Sequence, residues 1–361
     1  MIGFWEWVEG SVFLQQASCR SKNIFYINNK IMPLRIAIFD PSQHATGFTI
    51  LYPEADYYSI EPSSSFNFQQ RNIHAFRSVY GFNFLTDLAK INDTTYDIFI
   101  CIYPIIDGTK ESHIMYGSNR VKIIAEDIFK SNVFKRGIIV DNHDSGYDPT
   151  LYINNGQTKC IYLKRNFRSS LAYKENVHPF PFLIFGLPTC YLWFMLKRAS
   201  LYKLTTKIDN RIFWAGNLYK ESHPFNYEVD RITIYNDSKQ VLHTCGGLQF
   251  EEFMNCMASH KMSVDLNGCG HPNKRTFEIL VARSLIFHQK NDLVYPFENG
   301  KPFPDETCFE TGKELCEKYN ALLPNKELYD ILLEKQNTVF DTYFTKDWIR
   351  NYIDSLIDIK N

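Results

Sequence analysis

The sequence carries no excess of charge of either sign: 39 Lys and Arg stand against 40 Asp and Glu, a net charge of −1 at pH 7. Gripping nucleic acid takes a basic field, so that partner class is not expected. Paired cysteine spacing is missing too. The 9 cysteines, at 19, 101, 160, 190, 245, 256, 269, 308 and 316, include no CxxC and leave one over. That argues against a disulfide framework or a cysteine-built zinc site and fits a reducing compartment. There is no Gly-x-Ser-x-Gly elbow, no HExxH, no Walker loop and no amino-terminal Gly-x-Gly-x-x-Gly. Hydrolase, zinc protease, P-loop and Rossmann redox readings therefore lose their sequence support. Long apolar runs are scarce. The uncharged stretch FPFLIFGLPTCYLWFML (180–196) is at the lower limit for crossing a bilayer, and Pro181, Gly186 and Pro188 interrupt it. A buried interdomain segment is expected there, with peripheral membrane contact as the alternative. The start, MIGFWEWVEGSVFLQQ, carries Glu6 and Glu9 without a basic lead, which makes a poor export signal. A cytoplasmic location is expected.

What is present is an ordinary folding composition, 45% hydrophobic and 22% charged, in a length that suits two domains. Aromatic residues reach 16%, with 29 Phe and 22 Tyr, as AT-rich codon usage in a microbe or large virus would supply. Residues 1–31 show no period and read as an extension. Then apolar runs fit for buried parallel strands begin: LRIAIFD (34–40), FTILY (48–52), YDIFICIYP (96–104) and GIIVDNHD (137–144). Helix-like stretches at 72–90 and 119–130 lie between them. A second series opens with RIFWAGNLY (211–219) and continues with DRITIYND (230–237), HKMSVDLNG (260–268) and SLIFHQKND (284–292), with helical patterns at 248–259, 275–283 and 311–319. Residues 325–359 repeat apolar side chains at helical spacing. The expected fold is α/β, two doubly wound Rossmann-like domains (32–195 and 205–340) facing a cleft. A long C-terminal helix (341–361) packs back on the first domain. Ligands of such sheets sit at the carboxyl ends of the strands.

VDLNGCGHPNKRTFEIL (264–280) is the most informative segment. A strand ends in a loop with Gly268, Gly270 and His271, and a helix then opens with Lys274 and Arg275 and carries Glu278. Glycines admit a ligand close to the backbone, and a helix amino end offers free N–H groups. Two cations in a first turn oppose the helix dipole unless an anion such as a pyrophosphate lies between. Glu278 could then bond a ribose hydroxyl pair. The plain alternative is a solvated basic helix start, with Glu278 paired to Lys274.

In the first half, Asp141, His143 and Asp144 follow a strand where a general base would sit, although Asp, Asn, Ser and Gly there also make an ordinary turn. Asp40 with His44 is the rival pair. Lys164, Arg165 and Arg168 form a basic run that could hold an anionic acceptor or phosphate, or simply be solvated.

Gly-x-Gly-His followed by Lys-Arg-x-x-Glu, after a strand of the second half, resembles the donor loop of GT-B glycosyltransferases. The Arg-x-x-Glu placement is similar to that of the exostosin-like and CAP10-like groups. The resemblance covers residues 211–355 well and the first half only as a pattern. It implies a metal-independent transfer of sugar from a UDP- or GDP-sugar to a glycan hydroxyl, with no cofactor. Lys274 and Arg275 would hold the pyrophosphate and Glu278 the ribose, while Gly216-Asn217, after the first strand of the second half, would approach the phosphates. The first domain would bind the acceptor. One departure is Arg283, where a small residue is common. Two other classes stay open, a two-lobed binding protein for a polar ligand and a nucleotide-sugar epimerase.

Overall fold

The computed structural model describes residues 24–27, 30–40, 48–58, 83–85, 91, 95–103, 134–141, 148–151, 160–180, 201–218, 220–223, 227–268, 274–298 and 301–357. The chain divides into two compact units, Met1–Leu34 and Arg35–Asn361. In the first, β1 (Ile24–Ile27) and β2 (Lys30–Pro33) form an antiparallel hairpin within a stretch expected to be largely irregular.

The second unit holds two parallel sheets. Its opening elements are β3 (Ile36–Phe39), α1 (Phe48–Leu51), β4 (Asp56–Tyr58), β5 (Asn83–Leu85), β6 (Tyr96–Tyr103), β7 (Phe134–Asp141), β8 (Cys160–Lys164) and β9 (Val177–Pro179). The seven strands lie in the order β5-β4-β3-β6-β7-β8-β9. Every residue of β3 is buried, as its unbroken apolar run predicts for a strand covered on both faces. After β10 (Asp209–Trp214) come a hairpin, β11 (Lys220–His223) and β12 (Tyr227–Asp230), then α2 (Arg231–Ser238), β13 (Leu242–Thr244), α3 (Phe250–Ser259), β14 (His260–Asp265), α4 (Lys274–Val281), β15 (Leu285–Gln289) and β16 (Cys308–Phe309). The helices α5 (Gly312–Leu322), α6 (Lys326–Tyr343) and α7 (Lys346–Leu356) close the chain. The second sheet runs β13-β10-β14-β15-β16. Counted within each sheet the orders are 3-2-1-4-5-6-7 and 2-1-3-4-5, both doubly wound, and they reverse direction between β3 and β6 and between β10 and β14. Those two reversals mark where each sheet opens a crevice at its carboxyl edge.

Several elements differ from the sequence reading. FTILY is a helical turn, not a strand. The 230–237 strand is the helix α2: Asp230 caps it by accepting from the Thr233 amide, and Ile234 and Ser238, one turn apart, are its buried pair while Ile232 stays exposed. The β-branched alternation had suggested two faces; only one turn of it faces inward. β5 falls inside the stretch expected to be helical at 72–90. The amphipathic tail breaks at Phe344, because Thr345 caps a new helix through the Trp348 amide. The 119–130 helix and the apolar run beyond Phe180 lie outside the described residues.

Among the described residues, polar contacts in two regions tie the sheets and the last helix together. Past β8, the Ser169 amide donates to Asp292 O at 2.8 Å and Phe167 O accepts from the Val294 amide at 2.9 Å, beyond the end of β15. Arg168 adds an ion pair to Asp292 at 3.0 Å. On α7, Arg350 donates to Leu51 O at 2.8 Å and pairs with Glu54, the Tyr52 hydroxyl donates to Asp354 at 2.9 Å, and the Tyr352 hydroxyl donates to Pro179 O at 2.7 Å. The last helix thus rests on α1 and on the residue that ends β9.

Candidate functional site

At the carboxyl edge of the second sheet, β14 ends in Asp265, fully buried. Its Oδ2 accepts the Thr276 hydroxyl at 2.5 Å, which fixes the start of α4 against the strand. His288 at the end of β15 places Nδ1 3.2 Å from the same oxygen. The Asn291 amide donates to His288 Nε2 at 2.9 Å, so the ring proton sits on Nδ1 and faces the carboxylate. Asn291 also donates to Asn267 Oδ1, and the Asn267 amide donates to Gln289, so the turns after β14 and β15 are bonded together.

Arg231, at the first position of α2, joins this edge from the other side. Its Nε donates to Asn267 O at 2.8 Å and its Nη2 to Leu266 O at 3.3 Å. A Cβ built on Gly216 would lie 3.7 Å from the same guanidinium and 3.5 Å from the Trp214 ring. The turns after β10 and β14, on the two strands flanking the sheet's reversal, therefore meet around Arg231. Sequence reasoning misses it because Ile232 and Ile234 alternate as in a strand; Asp230 three residues before Thr233, a capping spacing, is the available signal.

Of the expected donor residues, Lys274 opens α4, and Arg275 and Glu278 are brought together at 3.0 Å. Glu278 thus pairs at i,i+3 with Arg275, where a Lys274 partner was the plain alternative. The Arg275 guanidinium also stacks over the Phe253 ring of α3, 4.3 Å from its centroid. Gly216 and Asn217 follow β10 as expected, and Gly268 is buried at the end of the β14 turn. Gly270 and His271 lie outside the described residues.

In the first sheet, Asp40 follows β3 but is fully buried, accepting the Tyr57 hydroxyl at 2.8 Å. Burial, and then the Asp40 charge, push the Tyr57 hydroxyl well above its usual range. Asp141 and Lys164 end adjacent strands and pair at 2.5 Å, both with no exposure. Lys164, expected as a phosphate or acceptor contact, and Asp141, expected as catalytic, are thus engaged with each other inside the sheet and away from water. Arg165 is buried as well and its amide bonds to Asp141 O, so of the basic run it is Arg168 that reaches the second sheet. His44, His143 and Asp144 lie outside the described residues.

Among the described residues one group has the donors for a metal ion, Asp209, His243 and His260. Asp209 and His260 begin β10 and β14, at the opposite edge from the turns above. The described cysteines 101, 160, 245, 256, 308 and 316 are all free thiols. Among the described residues, no helix is long and apolar enough to cross a membrane.

No protein-family model matches the chain, and no curated protein matches it by sequence. Solved structures do share its fold. HepE from Anabaena in complex with UDP aligns with a TM-score of 0.52 at 8% identity, covering 89% of this chain and 99% of HepE. HepE with UDP-glucose aligns at 0.50 and 8% identity, covering 90% and 99%. The DNA modifying β-glucosyltransferase of T4 phage, solved with and without uridine diphosphoglucose, aligns at 0.48 and 10% identity, covering 90% and 100%. With the two strand orders, the HepE likeness shows a GT-B-type fold of two Rossmann-like α/β sheets.

Proposed function

We propose that the chain is a glycosyltransferase that moves a sugar from a nucleotide-sugar donor to an acceptor hydroxyl. The observation that carries this reading is the meeting of the β10 and β14 turns around Arg231, beside the amino end of α4. Anionic ligands bind at helix amino ends, and ligands of doubly wound sheets bind where the strand order reverses. A Cβ on Gly216 would make only ordinary contacts with the protein, so a diphosphate passing close to the backbone is what a glycine there would serve. HepE, which shares the fold, was solved with UDP and with UDP-glucose, so UDP is the first donor nucleotide to try and GDP the second.

In the reaction the acceptor oxygen bonds the anomeric carbon, the bond from that carbon to the diphosphate oxygen breaks, and the acceptor proton passes to a base. Lys274, Arg275 and the end of α4 counter the charge that builds on the departing diphosphate. Glu278 exchanges its Arg275 partner for the ribose hydroxyls. Residues 205–340 bind the donor and residues 32–195 the acceptor. Asp40 and Asp141 are engaged inside the first sheet, which leaves His44, His143 and Asp144 as the base candidates. The acceptor is proposed to be a glycan. The exostosin-like and CAP10-like affinity rests on Arg275-x-x-Glu278 alone.

Calorimetric titration with UDP and GDP tests the donor site. Arg275→Ala and Glu278→Ala should each weaken binding about tenfold or more while leaving the circular dichroism unchanged, since a bond to a charged group contributes about 1.5–3 kcal/mol. Equal affinity in wild type and both variants would overturn the assignment. Repeating the titration with Mn2+ and with chelator reads any metal requirement. Incubation of UDP-glucose with water, a glycan and DNA separates the classes. A binding protein releases no UDP, an epimerase yields an isomer without acceptor, and a transferase releases UDP fastest with its own acceptor.

A further inference from the structure

The cluster Asp209, His243 and His260 lies beneath α3, on the face of the second sheet that packs the Phe213 ring. Asp265 is five residues on from His260 along β14, so the two edges are about 16 Å apart at strand spacing. Three side-chain atoms able to ligate a metal converge here. His260 Nδ1 lies 2.7 Å from Cys256 O, the carbonyl of α3, and must carry the proton to bond it. Its Nε2 is therefore a bare lone pair directed inward. His243 Nδ1, 2.6 Å away, donates its proton to that nitrogen, so a metal ion bound here moves that proton to His243 Nε2. Asp209 Oδ2 is 3.4 Å from each of the two ring nitrogens.

Those carboxylate distances decide between two readings. A charge-assisted hydrogen bond from an imidazolium to a carboxylate closes to about 2.7–2.9 Å. Ligand atoms about 2.0–2.1 Å from a tetrahedral zinc ion stand about 3.3 Å from one another. The oxygen is too far for the first and matched to the second, and the two nitrogens, hydrogen-bonded at 2.6 Å, part by about 0.7 Å to take the ion.

The surroundings suit a metal as well. The outer nitrogen of His243 has Cys245 Sγ at 3.5 Å, and that of His260 has the Cys256 carbonyl, the partners that orient imidazole ligands. Arg211 bonds both oxygens of Asp209, through its amide at 2.9 Å to Oδ1 and its Nη2 at 2.9 Å to Oδ2, and so fixes the carboxylate. His260 is buried, whereas Asp209 and His243 are partly exposed, which leaves a side open for entry and for a water ligand.

The geometry points to a zinc-type divalent metal site formed by Asp209 Oδ2, His243 Nδ1 and His260 Nε2, a clip across the amino ends of β10 and β14 and the edge strand β13. It stands apart from the donor turns and from sugar transfer. Cys245 touches the far nitrogen of His243 and is outside the ligand set.

Titration of the full-length protein with Co2+ and Zn2+ tests it. We expect one equivalent of Co2+ to give the strong visible absorption of a tetrahedral ion without a sulfur-to-metal charge-transfer band, displaced by one equivalent of Zn2+. Zinc should raise the thermal midpoint by several degrees. His243→Gln, at a partly exposed position, and His260→Gln should each lose the Co2+ spectrum and the zinc shift; the first serves where the second fails to fold. Cys245→Ser should keep both. Failure of wild type to bind Co2+ stoichiometrically, or binding that survives His243→Gln, would overturn the site, and a sulfur charge-transfer band would overturn the ligand set. UDP affinity, unchanged throughout, reads the donor site separately.

Discussion

Arg283 shows how a single position can serve two demands. Its φ of 56° is the left-handed value with which helices often end, and glycine adopts it without strain. Here the cost of about 1–2 kcal/mol is accepted because the guanidinium reaches α6: it pairs with Asp341 at 2.5 Å and stacks 4.7 Å from the Phe340 centroid. Arg283→Ala should lose the pair and keep the strain, destabilising by about 2 kcal/mol, while Arg283→Gly should lose less; urea unfolding of both variants checks the order. Sequence alone marked the position as unusual but could not show the partner, 58 residues away. Lys207 carries a pH signature. It donates to Ala258 O at 2.6 Å and Ala282 O at 3.0 Å, and burial, then the Arg283 charge, push its ammonium down to about 7. Unfolded, it stays protonated to about pH 10.4. Between those values the unfolded chain binds the extra proton, so this group adds stability as pH rises, and adds none of that slope below about pH 7. The thermal midpoint of wild type should therefore gain on Lys207→Met across that window. A constant difference would show an ammonium that stays charged on its two carbonyls. The pair Asp141 and Lys164 was legible as two charges at strand ends, but not as one buried unit. Lys164→Met alone should cost about 3–5 kcal/mol by stranding the carboxylate, and Lys164→Met with Asp141→Leu should recover much of it.

Elements were legible where burial and period coincide. β3, β6, β7, β14 and β15 read as strands because apolar side chains fill both faces, and α3, α4 and α5 because theirs repeat at helical spacing. α2 was misread because Ile232 and Ile234 imitate a strand, and the tie-break is a capping bond that propensity ignores. The hairpin β11–β12 was missed because KESH is polar throughout and the alternation in YEVD spans only four residues. The correct reading of α2 matters for packing. Gly312 opens α5 against it so closely that a Cβ would lie 2.6 Å from both Ile234 O and the Asp237 Cβ. Backbone cannot retreat as a flexible side chain can, so Gly312→Ala should destabilise by about 1–3 kcal/mol. The denaturant midpoint should fall with an unchanged slope. An unaffected midpoint would mean the two helices can slide apart, and the same motion would shift Arg231, which begins α2.

The two doubly wound sheets were expected from alternating strands and helices, and the C-terminal helix was expected to pack back on the first domain, but the individual contacts were not legible, because no local pattern links residues 167–169 to 292–294 or residues 350–354 to 51–54. Those long-range contacts set how the carboxyl edge of one sheet is held with respect to the other. α7 is the clearest tie. Ile349 and Ile353 are buried, Arg350 reaches Leu51 O and Glu54, and the Arg350 guanidinium stacks 4.6 Å from the Tyr52 ring centroid. Replacing Arg350 with Met and Tyr352 with Phe removes the charge pair and the hydroxyl bond to Pro179 O while keeping most of the apolar cover. Loss of these bonds should cost about 3 kcal/mol, read as a lower thermal midpoint. On the proposed assignment the donor binds the second sheet, so UDP affinity should be unchanged, whereas turnover with acceptor should fall because it needs both sheets in register. Loss of UDP affinity in that variant would place α7 within the donor-binding lobe, and unchanged turnover would show that α7 does not set the register of the sheets.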